Sequence, residues 1–117
     1  MPSRALVAKE LASIFKVVAH SDRICIIEEL GDGEKDVNTL AERLELPGTR
    51  VSQHLSLLRA HRIVEERREG RHRLYHLSQP HLATWIVEGL EFVEGRGGGV
   101  DPDQIKQARR LWEARGH

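Results

Sequence analysis

The sequence predicts a mainly α-helical fold carrying one small β-hairpin, on two observations. Apolar residues recur at helical spacing through most of the chain. Residues 63–77 instead hold two runs rich in strand-forming residues around Glu69-Gly70, which reads as two strands and a turn. The 117 residues allow one domain. A domain of that size buries a modest core, which a second copy of the chain would enlarge.

Each element has its own signal. Residues 5–19 lack Gly and Pro, and Val7, Leu11, Ile14 and Val18 form one helical stripe. Ser21 is placed to cap a second helix, with Asp22 in its first turn and Ile24, Ile27 and Leu30 on its buried face. Gly31-Asp32-Gly33 ends that helix. Asp36 caps a short third helix over 37–44, with Val37, Leu40, Ala41 and Leu44 inward. Leu46-Pro47-Gly48 is a tight connector to a fourth helix, from near Thr49 to about His61, whose inward stripe is Val51, Leu55 and Leu58. Strands over 63–68 and 71–77 follow, with Glu69-Gly70 as the turn. Gln79-Pro80 opens a further helix that turns Leu82, Trp85, Ile86 and Leu90 toward an apolar surface. Residues 95–100 form a glycine-rich link. Asp101 then caps a last amphipathic helix with Pro102 in its first turn and Ile105, Ala108, Leu111 and Trp112 on its apolar face. The expected organisation is a main domain over 1–94, the link over 95–100 and a C-terminal helix over 101–117.

A short helix, a Pro-Gly turn and a longer helix is a helix-turn-helix signature. A basic hairpin directly after it is a wing. The combination, a winged helix-turn-helix with a C-terminal helical extension, is far more specific than either part.

Composition narrows the function. No apolar run approaches the length of a membrane span, and Met1-Pro2-Ser3-Arg4 opens no secretory h-region. The single cysteine excludes an intramolecular disulfide framework and multi-cysteine zinc modules. These features lead to the expectation of a cytoplasmic protein without a membrane partner. No nucleophile–base pair, phosphate loop or paired carboxylate stands out, so no enzyme is expected. The formal net charge is zero, but it is unevenly spread. Seven arginines and three glutamates lie between Thr49 and His76, a local +4, while residues 28–45 carry −5. One basic stretch on a neutral chain fits a single local anionic partner, and a solvated, charge-mixed surface is the alternative.

That partner is read as double-stranded DNA. With Val51 inward, Thr49, Gln53 and Ser56 point away from the core of the fourth helix and Arg50 and Ser52 flank them. Short polar or forked side chains near a helix N-terminus are those that reach base edges in a major groove. His54 falls on the inward flank and is read as a half-buried, hydrogen-bonded histidine. The wing carries Arg67, Arg68, Arg71, His72 and Arg73. Phosphate supplies the anion such a cluster needs, unless Glu65, Glu66 and Glu69 neutralise it across the strands. Tyr75 and Leu77 are read as core.

The run Val51-Ser52-Gln53-His54-Leu55-Ser56-Leu57-Leu58-Arg59 resembles the recognition helix of the ArsR/SmtB-type winged-helix repressors. Ala19-His20-Ser21-Asp22-Arg23-Ile24 resembles that family's entry to its second helix, and residues 70–77 resemble its wing. The resemblance covers roughly residues 8–94. It implies a homodimeric bacterial or archaeal repressor that binds an imperfect palindrome and releases it on a signal. It also implies dimerisation through the first and last core helices, which agrees with the stripes Val7, Leu11, Ile14, Val18 and Leu82, Trp85, Ile86, Leu90.

The family's sensing sites do not carry over. Its cysteine pair on the third helix has no counterpart in residues 36–42, which hold no thiolate. Its zinc site on the last core helix corresponds here to Gln79, His81, Phe92 and Gly95, of which only His81 can ligate, whereas zinc needs three or four ligands. Cys25 is the only thiol, so an intrachain sulfur switch is excluded and a packing role is expected. The expectation is therefore a repressor without the usual metal sites and without a cofactor, its inducer unknown. Two alternatives stay open: a zinc- or nickel-gated repressor with a non-standard histidine/carboxylate site, and a winged helix that binds protein.

Overall fold

The computed structural model describes residues 2–113. Among these the order is α1 (Pro2–Val18), α2 (Ser21–Glu29), α3 (Val37–Leu44), α4 (Gly48–Ala60), β1 (Val64–Glu69), β2 (His72–Leu77), α5 (His81–Arg96) and α6 (Pro102–Glu113). A 3-10 turn over Leu30–Asp32 extends α2. The fold is the expected one: mainly helical, with one antiparallel two-stranded hairpin after a helix-turn-helix.

The core is built where the helical stripes predict. Val51, Leu55 and Leu58 of α4 are fully buried, and with Leu40 of α3 they meet Ile26 and Ile27 of α2, Ile63, Val64, Tyr75 and Leu77 around the hairpin, and Ala83 of α5. Each large aliphatic side chain buried there contributes roughly 1.5–3 kcal/mol. In α2 the expected inward set needs correction. Ile26 is fully buried while Ile24 is half-buried. The reason is that α2 packs against both α4 and α5 and so buries more than one stripe.

Caps and turns refine the boundaries. Ser21 is the first residue of α2 rather than its cap. His20 takes that place in extended backbone, and its Nδ1 accepts the Asp22 N–H at 3.1 Å. Asp36 caps α3 as expected, accepting the Thr39 N–H at 2.8 Å. Glu45 closes α3 in the left-handed region at φ 55°, and Pro47 leads into α4 in extended backbone. In the hairpin Glu69 pairs with His72, so the two-residue turn is Gly70-Arg71, not Glu69-Gly70. Gly70 holds φ +60°. A positive φ at the first of two turn residues is where a tight hairpin requires glycine. Lys35 and Tyr75 exchange backbone hydrogen bonds at 3.0 and 2.9 Å, which ties the hairpin to the entry of α3.

The last two helices start at proline signals. α5 continues to Arg96, and Gly97 ends it at φ 64°. Asp101 caps α6 by accepting the Asp103 N–H at 2.9 Å. Of the apolar face expected on α6, Ile105 is buried, Ala108 and Trp112 are half-buried, and Leu111 is exposed. Among the described residues no helix is long and apolar enough to cross a membrane.

Candidate nucleic-acid interface

The exposed side of α4 follows from its buried side. With Val51, Leu55 and Leu58 in the core, Thr49, Arg50, Ser52, Gln53 and Ser56 are all exposed. His54 lies between the two faces, its side chain only 12% exposed. The N-terminal half of α4 thus presents a row of short hydrogen-bonding groups at the positive end of a helix.

Arg50 and His54, one turn apart, both point at Asp22 in the first turn of α2. Arg50 Nε donates to Asp22 Oδ2 at 2.7 Å, and His54 Nε2 lies 3.1 Å from the same oxygen. The Arg50 hydrogen bond holds the Asp22 carboxyl down at about 2, against an ordinary 3.8, with the bond from His54 adding to it and burial opposing both. Asp22 is therefore ionised at all ordinary pH values. Reading α4 alone does not reveal Asp22. The available signal was the i, i+4 pair Arg50/His54, which needs an acidic partner on a neighbouring element.

The hairpin register sorts the wing. Residues directly opposite share a face, so Glu66, Arg68, Arg73 and Tyr75 lie on one side and Arg67, Glu69, His72 and Leu74 on the other. Tyr75 and Leu77 are buried, as expected. Arg68 and Arg73 continue their face beyond the core and stand directly opposite each other. Like charges so placed repel unless an anion sits between them or nearby. Arg73 Nε is 3.7 Å from Glu66, which also accepts from Arg59 at 3.1 Å. Among the described residues Arg68 and Arg71 make no ion pair. His72 Nδ1 is 3.8 Å from Asp36. Arg67 belongs to the architecture: it is bound by Glu34 and by Glu69, which raise its pKa further.

Helix and wing meet in one groove. Ser56 and Arg59 of α4 line it together with Glu66, Arg73 and Tyr75 of the hairpin. A second shallow groove joins Arg71, His72 and Arg73 to Asp36, Val37 and Asn38 at the start of α3. Of the sequence-predicted residues, Ser56 and Arg73 share the first groove, and Arg71, His72 and Arg73 the second, so Arg73 lines both.

A second surface is apolar. None of the described residues of α1 is buried. Val7 is 67%, Leu11 38% and Ile14 37% exposed, and Trp85 of α5 is 45% exposed. Phe15 meets Trp85 edge-on, ring centroids 6.3 Å apart, which brings α1 and α5 together. Val18, Leu82 and Ile86 are half-buried against the core. Leu90 differs from the expected set, being buried within the chain itself. Leu6, Phe15, Phe92 and Val93 are exposed on these helices and were absent from that set.

Cys25 is half-buried on α2. Burial, with Glu28, Asp22 and Glu29 nearby, pushes its thiol pKa up, which disfavours the reactive thiolate.

Comparison with known proteins agrees with this fold. Residues 20–66 match the profile of the bacterial regulatory proteins of the arsR family. The HTH-type transcriptional regulator KmtR of Mycobacterium tuberculosis is 33% identical over 90 residues, covering 77% of this chain and 69% of that one. Among solved structures, the transcriptional repressor BigR of Xylella fastidiosa superposes with a TM-score of 0.70 at 26% identity, over 78% of this chain and 93% of that one. A homodimeric winged helix-turn-helix DNA-binding domain of a possible ArsR-family regulator from Mycobacterium bovis gives 0.67 at 25% identity, over 80% and 86% of the two chains. Fold, α4 surface and sequence similarity together assign this chain to the arsR family of bacterial transcriptional regulators.

Proposed function

We propose that the chain acts as a homodimeric repressor that sets α4 into the major groove of a palindromic operator. The observation that carries this reading is the exposed row Thr49, Arg50, Ser52, Gln53 and Ser56 of α4, whose last member shares a groove with Arg73 of a wing that also carries Arg68, Arg71 and His72. In this reading Gln53 faces a base edge, where Gln pairs with adenine, and Arg50 stands beside it, held by Asp22. Arg68, Arg71 and Arg73 neutralise phosphates.

The apolar face of α1 and α5 takes a second copy of the chain. A helix of 17 residues with nothing buried is not stable on its own in water, so α1 requires a cover. The homodimeric Mycobacterium bovis neighbour supports a second copy as that cover. Because α5 runs to Arg96, two residues past the expected boundary at 94, the main unit is 1–96, with the glycine-rich link at 97–100 and the helix beyond it as an appendage. No catalytic role is assigned.

Selection from random double-stranded DNA by purified, chelated, reduced protein tests the proposal. The expected survivors share two inverted half-sites about one helical turn apart. Survivors without any shared sequence would overturn it.

A further inference from the structure

Three potential metal ligands converge beside α4, outside the DNA-facing row. His20 precedes α2, Asp22 lies in its first turn and His54 sits on the inner flank of α4. Ligand atoms of the three all lie within 4.8 Å of one another. The two imidazoles are stacked at a tilt, centroids 4.6 Å apart. Asp22 is nearly buried, and His20 is exposed, so the cluster has a firm floor and an open entrance. The three residues come from two elements, so no spacing within one helix announces them.

We propose that His20, Asp22 and His54 form a binding site for a divalent transition-metal ion of the zinc–nickel class. Two imidazole nitrogens and one carboxylate oxygen are borderline donors that suit such ions. Three protein ligands also leave a coordination position for water. Donors about 2.0–2.2 Å from a tetrahedral ion stand roughly 3.4 Å apart, so side-chain rotations that draw the present cluster, within 4.8 Å, in by up to about 1.4 Å complete the site. The ion replaces hydrogen bonds with coordination by groups already gathered there: the His20 Nδ1 lone pair that caps α2, an Asp22 oxygen and a His54 ring nitrogen.

This site reaches the DNA-facing surface through one residue. Arg50 now donates to Asp22. A divalent ion on Asp22 takes over that charge and repels the guanidinium, which becomes free for phosphate. This coupling rests on the DNA-binding reading above, whereas metal binding itself does not.

The test titrates apo full-length protein with Zn(II) by calorimetry and with Co(II) by d–d absorption, in the absence of DNA. One ion per protomer is expected, with intense tetrahedral Co(II) bands. His20→Asn keeps a side-chain acceptor to cap α2, and His54→Gln keeps a hydrogen bond to Asp22, so both variants should fold. Each is expected to lose at least about tenfold in affinity, the low end of what even outer-shell losses cost. His61→Gln, exposed and outside the cluster, should bind Zn(II) like wild type. Absence of stoichiometric binding, or unchanged binding in both His20→Asn and His54→Gln, would overturn the site. Salt dependence of DNA affinity tests the coupling: loading Zn(II) should steepen the log–log slope by about 0.9 in wild type and leave His20→Asn unchanged. Equal slopes with and without bound Zn(II) in wild type would overturn the coupling. Failure of the chelated protein to bind any DNA would count against the repressor reading instead.

Discussion

Asp22 anchors α4 from a neighbouring helix. One nearly buried carboxylate receives Arg50 at 2.7 Å and His54 at 3.1 Å, and so fixes how the N-terminal half of α4 sits against α2. Pairing lowers its pKa from 3.8 to about 2. A carboxylate whose folded pKa is depressed stabilises the fold above its unfolded pKa and loses that contribution as pH falls toward the folded value. Asp22→Asn should therefore melt below wild type at pH 7, and the gap should narrow between about pH 4 and pH 2. A gap that stays constant across that window would remove the ion pair from the explanation. At the same scale, Cys25→Ser should leave DNA affinity unchanged within about twofold, because its raised thiol pKa and half-buried position suit packing rather than sensing.

Elements were legible where their own residues dictate them. α3 runs over the span that Asp36 and its apolar positions define, and α4 falls within one residue of expectation at each end. The periodicity of Val51, Leu55 and Leu58 is strong enough to set both the buried and the exposed face. What escaped depends on neighbours. Ile26 is buried because α2 is enclosed on two sides, which a single stripe does not reveal. The turn moved by one residue because Gly70 takes the left-handed first position, which shifts Glu69 into the ladder. The arginines of the wing looked equivalent in sequence, but the register divides them. Arg67 is bound by Glu34 from another segment, while Arg68 and Arg71 are left for a partner. Consequently Arg68→Ala and Arg71→Ala should each flatten the salt dependence of DNA binding by about 0.9 in log–log slope, for every sequence alike. Anisotropy titrations across salt concentrations check this, and slopes equal to wild type in both variants would take the wing off the DNA.

For the whole molecule the exposed apolar face of α1 and α5 is the feature on which the proposed assembly rests. α1 has no buried residue, and the α1/α5 edge pairs Phe15 with Trp85 on an otherwise exposed face. Buried apolar area stabilises by roughly 25 cal/mol per Å², and in the proposed assembly a second copy on this face supplies that burial. Sedimentation at micromolar concentration should show a dimer. Leu11→Glu with Ile14→Glu should shift it to monomer and weaken operator binding by at least about tenfold, since each half-site then binds alone. A monomeric wild type would contradict the assembly. The arsR-family assignment fixes the fold and the regulator class, whereas the role of α4 as the reader of bases rests on the exposed row from Thr49 to Ser56.

That role is tested most directly by measuring Gln53→Ala against the selected operator and against operators changed one base pair at a time. The variant should lose on the order of 1–3 kcal/mol on the operator and become indifferent to one base pair in each half-site. An equal loss on every sequence, with discrimination intact at all positions, would contradict base reading by α4.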